Sequence, residues 1–214
     1  VRRRTHVNNR SESHCSDNGT GSQAIPYCTV SAAAKVVKPG QTVLIDAQTT
    51  YTEPLTIDRS GEPITFAVAR EGVGEHNAPS PAYLKRSLTI SGASHVVVRG
   101  LSADEGLYVD NSHDVTLDRV YGYHTADDTA SLVVRKESTD VRAGRSYFAA
   151  VRVEGGAQRT VLSRNSIHGF RIPPVSVVNA PGTVITNNTL KSSCGAGISV
   201  GGSSTGSALF NNLL

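Results

Sequence analysis

From residue 88 to residue 214 the chain is a series of short alternating apolar strands with no helix-length segment between them. LTISGASHVVVRGL (88–101) aligns with LYVDNSHDVTLDRV (107–120), then with VVRKESTDVRAGRS, VRVEGGAQRTVLSRN, VSVVNAPGTVITNN and ISVGGSSTGSALFNN. Each unit opens with a strand, turns through Gly, Asn, Ser, Asp or Pro, and runs a second strand. With Val98, Leu117, Ala143, Leu162, Ile185 and Leu209 as the equivalent core position, the steps are 19, 26, 19, 23 and 24 residues. A step near twenty with variable insertions predicts a stacked solenoid, because one such unit has a single apolar stripe and buries it only against its neighbours. The pattern predicts an all-β fold, a right-handed parallel β-helix. An all-β sandwich also has short strands at this spacing, but nothing in it requires Asn165, Asn188 and Asn212 to recur in register. Asn tolerates the left-handed conformation at a sharp turn, and stacked amides can hydrogen-bond from coil to coil as an asparagine ladder.

Three regions emerge: a polar arm over 1–14, a cap with the first coils over 15–87, and coils over 88–214. Residues 5–9 (THVNN) read as a short strand. TVSAAAKVVKPGQ (29–41) is the one good helix: Thr29 or Ser31 caps it, the alanines propagate it and Pro39-Gly40 stops it. With Val30, Ala33, Val36 and Val37 inward it covers the first coil, which would otherwise expose an open sheet edge. Strands are expected over 42–47, 54–57, 59–69 and 84–91, with a loop over 71–83. The coil pattern stops at NNLL without a cap after residue 212. The expectation is a fragment of a longer solenoid, or an end-to-end contact covering the last coil.

Composition narrows the function classes. Aromatics are 5% of the 214 residues and Trp and Met are absent, which suits thin aliphatic stacks. A net charge of +3 is too mild and, along the chain, too dispersed for a nucleic-acid partner. No apolar run approaches a membrane span. No leader pattern is present and the chain starts at Val1, as it would with a leader already removed. Cys15 and Cys28 flank a polar, Gly-rich segment. They are either a disulfide, which points to an oxidising compartment and a secreted or cell-surface protein, or two free thiols. Cys194 reads as a small buried residue.

The helix ending in Pro39, Gly40, Gln41 and Thr42, the strand TVLIDA, and then Tyr51, Thr52 and Glu53 together resemble the N-terminal segment of secreted right-handed parallel β-helix proteins. That group includes polysaccharide lyases of the pectate, alginate and chondroitin types. The resemblance covers residues 15–70 by motif and the rest by repeat style. It implies a carbohydrate-active protein that binds an acidic polysaccharide or cell-surface glycan, or cleaves one by β-elimination. Adhesins, epimerases and phage spikes share such beginnings, so a non-catalytic surface or spike-type module is the alternative. A repeat-built ice or mineral binder would need regular Thr arrays that are absent.

β-Elimination needs a cation to neutralise the uronate carboxylate, a base for the α-proton and a donor for the leaving oxygen. Three residues past the Asn position, the aligned coils give Asp104, Tyr123, Ala149, His168 and Lys191, with Ala103, Gly122, Phe148, Ile167 and Leu190 as inward neighbours. The first set is expected in one solvent-facing column, with Lys191, His168 and Tyr123 as catalytic candidates. Asp104, His124, Arg164 and Arg171 are the substrate-binding candidates, with Glu105 beside them. Ordinary solvated polar residues give the same pattern. Asp127 and Asp128 are the Ca²⁺ candidates, although such a pair also suits a plain turn. Arg119, Arg145 and Arg164 form either a basic row for carboxylates or sulfates, or surface pairs with Asp118, Asp140 or Glu154. His95 and His113 read as turn residues. Nucleotide-binding, nucleophile-elbow and zinc motifs are absent.

Overall fold

In a computed structural model of the chain, residues 4–47, 49–69, 72–73, 79–123, 129–193 and 195–214 are described. Alternation sets the architecture. In Ser94–Arg99 every second side chain is buried, and the same holds from coil to coil, so each strand presents one apolar edge inward. The strands assemble into a parallel β-helix of about seven turns. It has one nine-stranded and two seven-stranded parallel sheets.

Each full coil runs through three strands. The coil 107–122 places Leu107–Asp110 in the third sheet, His113–Asp118 in the first and Tyr121–Gly122 in the second. The sequence pattern predicted two strands per unit. The third is only two to four residues long, too short to show an alternation of its own.

The first sheet carries the spine. Pairing sets Val43 on Phe66, Phe66 on Val98, Val98 on Leu117, Leu117 on Ala143, Ala143 on Leu162, Leu162 on Ile185 and Ile185 on Leu209. Every member is at most 1% exposed except Leu209 on the last rung, at 47%. The expected strand over 84–91 is divided: Ala82–Leu84 lies in the second sheet and Leu88–Ser91 in the third, with a corner at Lys85–Ser87. Part of the expected loop pairs antiparallel, Gly72–Val73 with Pro79–Ser80.

One corner is tight and two are variable. Between the first and second sheets the chain turns on a single left-handed residue: Gly100, Arg119, Arg145, Arg164, Asn187 and Asn211 all have φ between 48° and 68°. The residue after it bonds to the next coil. Asn188 Oδ1 accepts from Asn165 N (2.9 Å) and from Asn165 Nδ2 (3.0 Å). Asn212 Oδ1 does the same for Asn188, at 3.0 Å each. Ser146 replaces Asn one coil earlier, its Oγ accepting from Val120 N. The loops between the second and third sheets vary in length and include the residues beside the candidate column.

The helix spans Val30–Val36, capped by Thr29, whose side chain accepts from Ala32 N. Glu53 also accepts from Val30 N at 2.9 Å. Its buried stripe is Val30, Ala33, Ala34 and Val37, an i, i+3, i+4, i+7 set. Val36 was expected inward but is 49% exposed, because the helix ends there and the extended Val37 turns into the core. Arg4–Val7 extends the first sheet beyond Thr42–Ile45. Cys15 and Cys28 form a disulfide, closing the option of two free thiols. Among the described residues no helix is long and apolar enough to cross a membrane.

Candidate functional site

The second sheet is narrow, and its short strands bring the predicted column together. Leu84, Ala103, Gly122, Phe148, Ile167 and Leu190 stack inward in register. Each is followed by an outward residue, giving the order Lys85, Asp104, Tyr123, Ala149, His168, Lys191. His168 pairs directly with Lys191 across adjacent strands. One residue before the inward column, the outward set includes Tyr83, Tyr121, Tyr147 and Ser166.

Side chains from the two outward sets interlock. The Tyr123 and Tyr147 rings lie 5.6 Å apart, and Tyr147 meets the His168 ring edge-on at 5.2 Å. His168 Nε2 is 3.1 Å from Ser166 Oγ. Ala149 stands between Tyr123 and His168 in the column, and the Tyr147 ring bridges the two across that small residue. Lys191 is exposed and makes no ion pair among the described residues. Burial, then the neighbouring Tyr147, Tyr121 and Asp104, pushes the Tyr123 hydroxyl above its ordinary pKa. It therefore stays protonated and able to donate through neutral pH.

The acidic end of the column is already engaged. Tyr83 donates to Asp104 Oδ1, and Lys85 Nζ is 3.1 Å from Oδ2. The bond to Asp104, then burial, pushes the Tyr83 hydroxyl up to about 12. Glu105 is paired with Arg86 at 2.7 Å. Lys85, Tyr83, Tyr147 and Ser166 were missed from the sequence. Lys85 lies 19 residues before Asp104, the step already seen in the repeat, so extending the column one coil back would have found it.

The remaining candidates lie elsewhere. Arg164 sits at the turn between the first and second sheets, not in the column. Arg171 lies in the loop after Gly169, its guanidinium 5.8 Å from the Phe170 ring. His124, Asp127 and Asp128 fall outside the described residues, as does Cys194. Among the described residues no three His, Cys, Asp or Glu gather into a metal-holding group. The third sheet adds a cluster that sequence reasoning did not single out. The nearly buried Asp110 accepts from Arg135 Nε (2.8 Å) and Lys136 Nζ (2.6 Å), and Arg135 lies 5.5 Å over Tyr108.

Comparison with known proteins adds the fold's relatives. No family model and no curated protein matches the sequence. Solved structures do. An alginate lyase from Paenibacillus sp. str. FPU-7 superposes with a TM-score of 0.67 at 18% identity, covering 86% of this chain and 72% of that one. A GH136 lacto-N-biosidase from Eubacterium ramulus gives 0.60 at 10%, covering 87% and 45%. A rhamnogalacturonan lyase gives 0.53 at 12%, covering 99% and 62%. The likeness is one of fold. The chain thus spans under two thirds of the second and third of these proteins.

Proposed function

We propose that the chain is a secreted carbohydrate-active β-helix that binds an acidic polysaccharide across the outer face of the second sheet and cleaves it by β-elimination. The observation that carries this reading is the column in which Tyr123, His168 and Lys191 share one solvent face, with the Tyr147 ring bridging Tyr123 and His168. The structural neighbours, two lyases and a biosidase on β-helices, favour a glycan substrate. The Cys15–Cys28 disulfide favours an oxidising compartment.

The chemistry comes from the groups present. The Lys191 ammonium faces the uronate carboxylate and makes the C5 proton more acidic. In the tautomer whose Nε2–H donates to Ser166 Oγ, His168 Nδ1 holds the free lone pair and takes that proton. The C5–H electron pair forms the C4–C5 double bond, the C4–O bond breaks, and the Tyr123 hydroxyl protonates the departing oxygen. Tyr147 offers a ring face to the sugar. Calcium enters the proposal only through Asp127 and Asp128, and no step is routed through it.

The test is a scan of uronate-containing polysaccharides, with calcium or with chelator, following ultraviolet absorbance of the unsaturated product. Removing the general base should lower kcat by roughly 10²–10⁴-fold in His168→Ala, and Lys191→Ala should also lose turnover. Full activity in both variants refutes the site. Saturable glycan binding with no product from any substrate instead identifies a non-catalytic surface module.

A further inference from the structure

The outer face of the first sheet carries a second feature that the proposed reaction does not use. A cleft of about 320 Å³ is lined by Arg99, Asp118, Arg142, Arg145, Ser163 and Arg164. Its floor is Gly144, which stands in register between Asp118 and Ser163 at a position where neighbouring coils carry a side chain. A Cβ there would lie 3.2 Å from the Ser163 carbonyl.

One carboxylate serves three guanidinium groups. Asp118 is 2.7 Å from Arg145, 3.7 Å from Arg119 and 3.8 Å from Arg99. Arg142 and Arg164 are exposed and make no ion pair among the described residues. The four arginines that line the cleft against one aspartate leave a formal excess of three positive charges, as many as the net +3 of the whole chain. Charge that reads as dispersed along the sequence is therefore gathered on one face by stacking. Its placement is also costly: Arg119, Arg145 and Arg164 occupy left-handed turn positions with φ of 53°, 54° and 58°, where other coils use Gly100, Asn187 and Asn211. Backbone strain favours Gly or Asn there. From that turn Arg119 and Arg145 reach Asp118, and Arg164 lines the cleft beside them.

We propose that this cleft is an oxyanion-binding subsite for an extended acidic glycan, taking sulfate or carboxylate groups of the polymer rather than a single free ion. Arg119, Arg145 and Arg164 follow the solenoid axis one rung apart, about 4.8 Å, with Arg142 beside Arg145 on the same coil, so the site is a row suited to repeated anionic groups. Planar guanidinium groups pair bidentately with either group. The subsite stands whether or not the second sheet's face turns sugar over.

Its test is direct binding by calorimetry of two probes, a sulfated hexasaccharide and an oligouronate, with a DNA duplex as comparison. The variant is Arg142→Thr with Arg164→Asn. Both replacements already occupy the same columns in neighbouring coils, as Thr116 and Asn187, so the coil is preserved. Loss of charge-assisted bonds should raise Kd at least about tenfold for one probe or both, and which probe is affected names the oxyanion. Thermal stability should not fall, because Arg164→Asn relieves strain. Three outcomes overturn the proposal: unchanged affinity in the variant, no binding by the parent, or DNA bound as tightly as either glycan.

Discussion

Asn188 offers the sharpest test of how the coils hold together. Its side chain is 1% exposed and makes four hydrogen bonds. Oδ1 accepts from Asn165 N and Nδ2, while Nδ2 donates to the Leu162 carbonyl (2.9 Å) and to Asn212 Oδ1 (3.0 Å). Asn188→Ala strands two buried backbone groups, Asn165 N and the Leu162 carbonyl. At about 1–3 kcal/mol per orphaned buried group, the loss should be about 3–4 kcal/mol. For a chain of this size that lowers Tm by roughly 6–16 °C. Asn212 makes the same kind of contacts on a partly exposed rung, where water can replace them, so Asn212→Ala should cost only about 1 kcal/mol. Calorimetry gives the difference. Hydrogen exchange locates it, because a solenoid opens rung by rung: Asn188→Ala should unprotect 184–214 while leaving 94–118 unchanged. Equal losses in the two variants, or protection lost uniformly along the chain, would refute the reasoning that buried amides pin adjacent coils.

Two further predictions rest on other corners of the fold. Burial raises the Asp110 pKa, but the hydrogen bonds from Arg135 and Lys136 outweigh it and hold the carboxyl below the ordinary range. With the folded value depressed, its contribution is full above the unfolded Asp value of about 3.9 and is lost as pH falls through the folded one. Asp110→Asn should thus be less stable by on the order of 1 kcal/mol at neutral pH, given half-exposed partners, and its denaturant midpoint should change less than the parent's between neutral pH and pH 3. A Cβ on Gly169 would lie 2.3 Å from the Ile172 carbonyl oxygen and 2.6 Å from Pro174 N. Gly169→Ala should cost about 1–3 kcal/mol and open the 170–174 loop to limited proteolysis; an unchanged cleavage pattern would show that the close approach is dispensable.

The solenoid was legible in the chain because the first and third sheets use strands of three to six residues, long enough to alternate. The second sheet's strands run from two to four, and Tyr121–Gly122 carries no periodicity alone. Its column was still readable by counting from Asn165, Asn188 and Asn212, since a two-residue turn fixes the phase of the next strand. Tyr147 and Ser166 escaped because the same counting was applied to one side of the inward residue only. The arginine cleft was legible only in part: Arg119, Arg145 and Arg164 stood out because they share one turn position, and two of them, Arg145 and Arg119, do lie against Asp118, whereas Arg99 and Arg142 belong to other columns and become their neighbours only through stacking. Asp104 carries a related lesson. A charged residue looks available in sequence, yet the coil beneath it supplies Tyr83 and Lys85 as partners.

Parallel stacking gives each face of this molecule its own chemistry. Every full coil contributes one residue to each column, so a face is a list of choices made about twenty residues apart, and neighbouring columns vary independently. The second sheet's face has drawn rings, an imidazole and an amine; the first sheet's face has drawn guanidinium groups around a single carboxylate. The two are joined by the left-handed turn, whose two-residue length keeps Arg145 and Arg164 within three residues of Phe148 and Ile167 in the next strand. An acidic polymer held by the arginines would therefore lie one corner away from the His168–Lys191 pair. Weakening the arginine row should then raise KM for long uronate chains without changing kcat for short ones, a split that separates holding the polymer from cutting it.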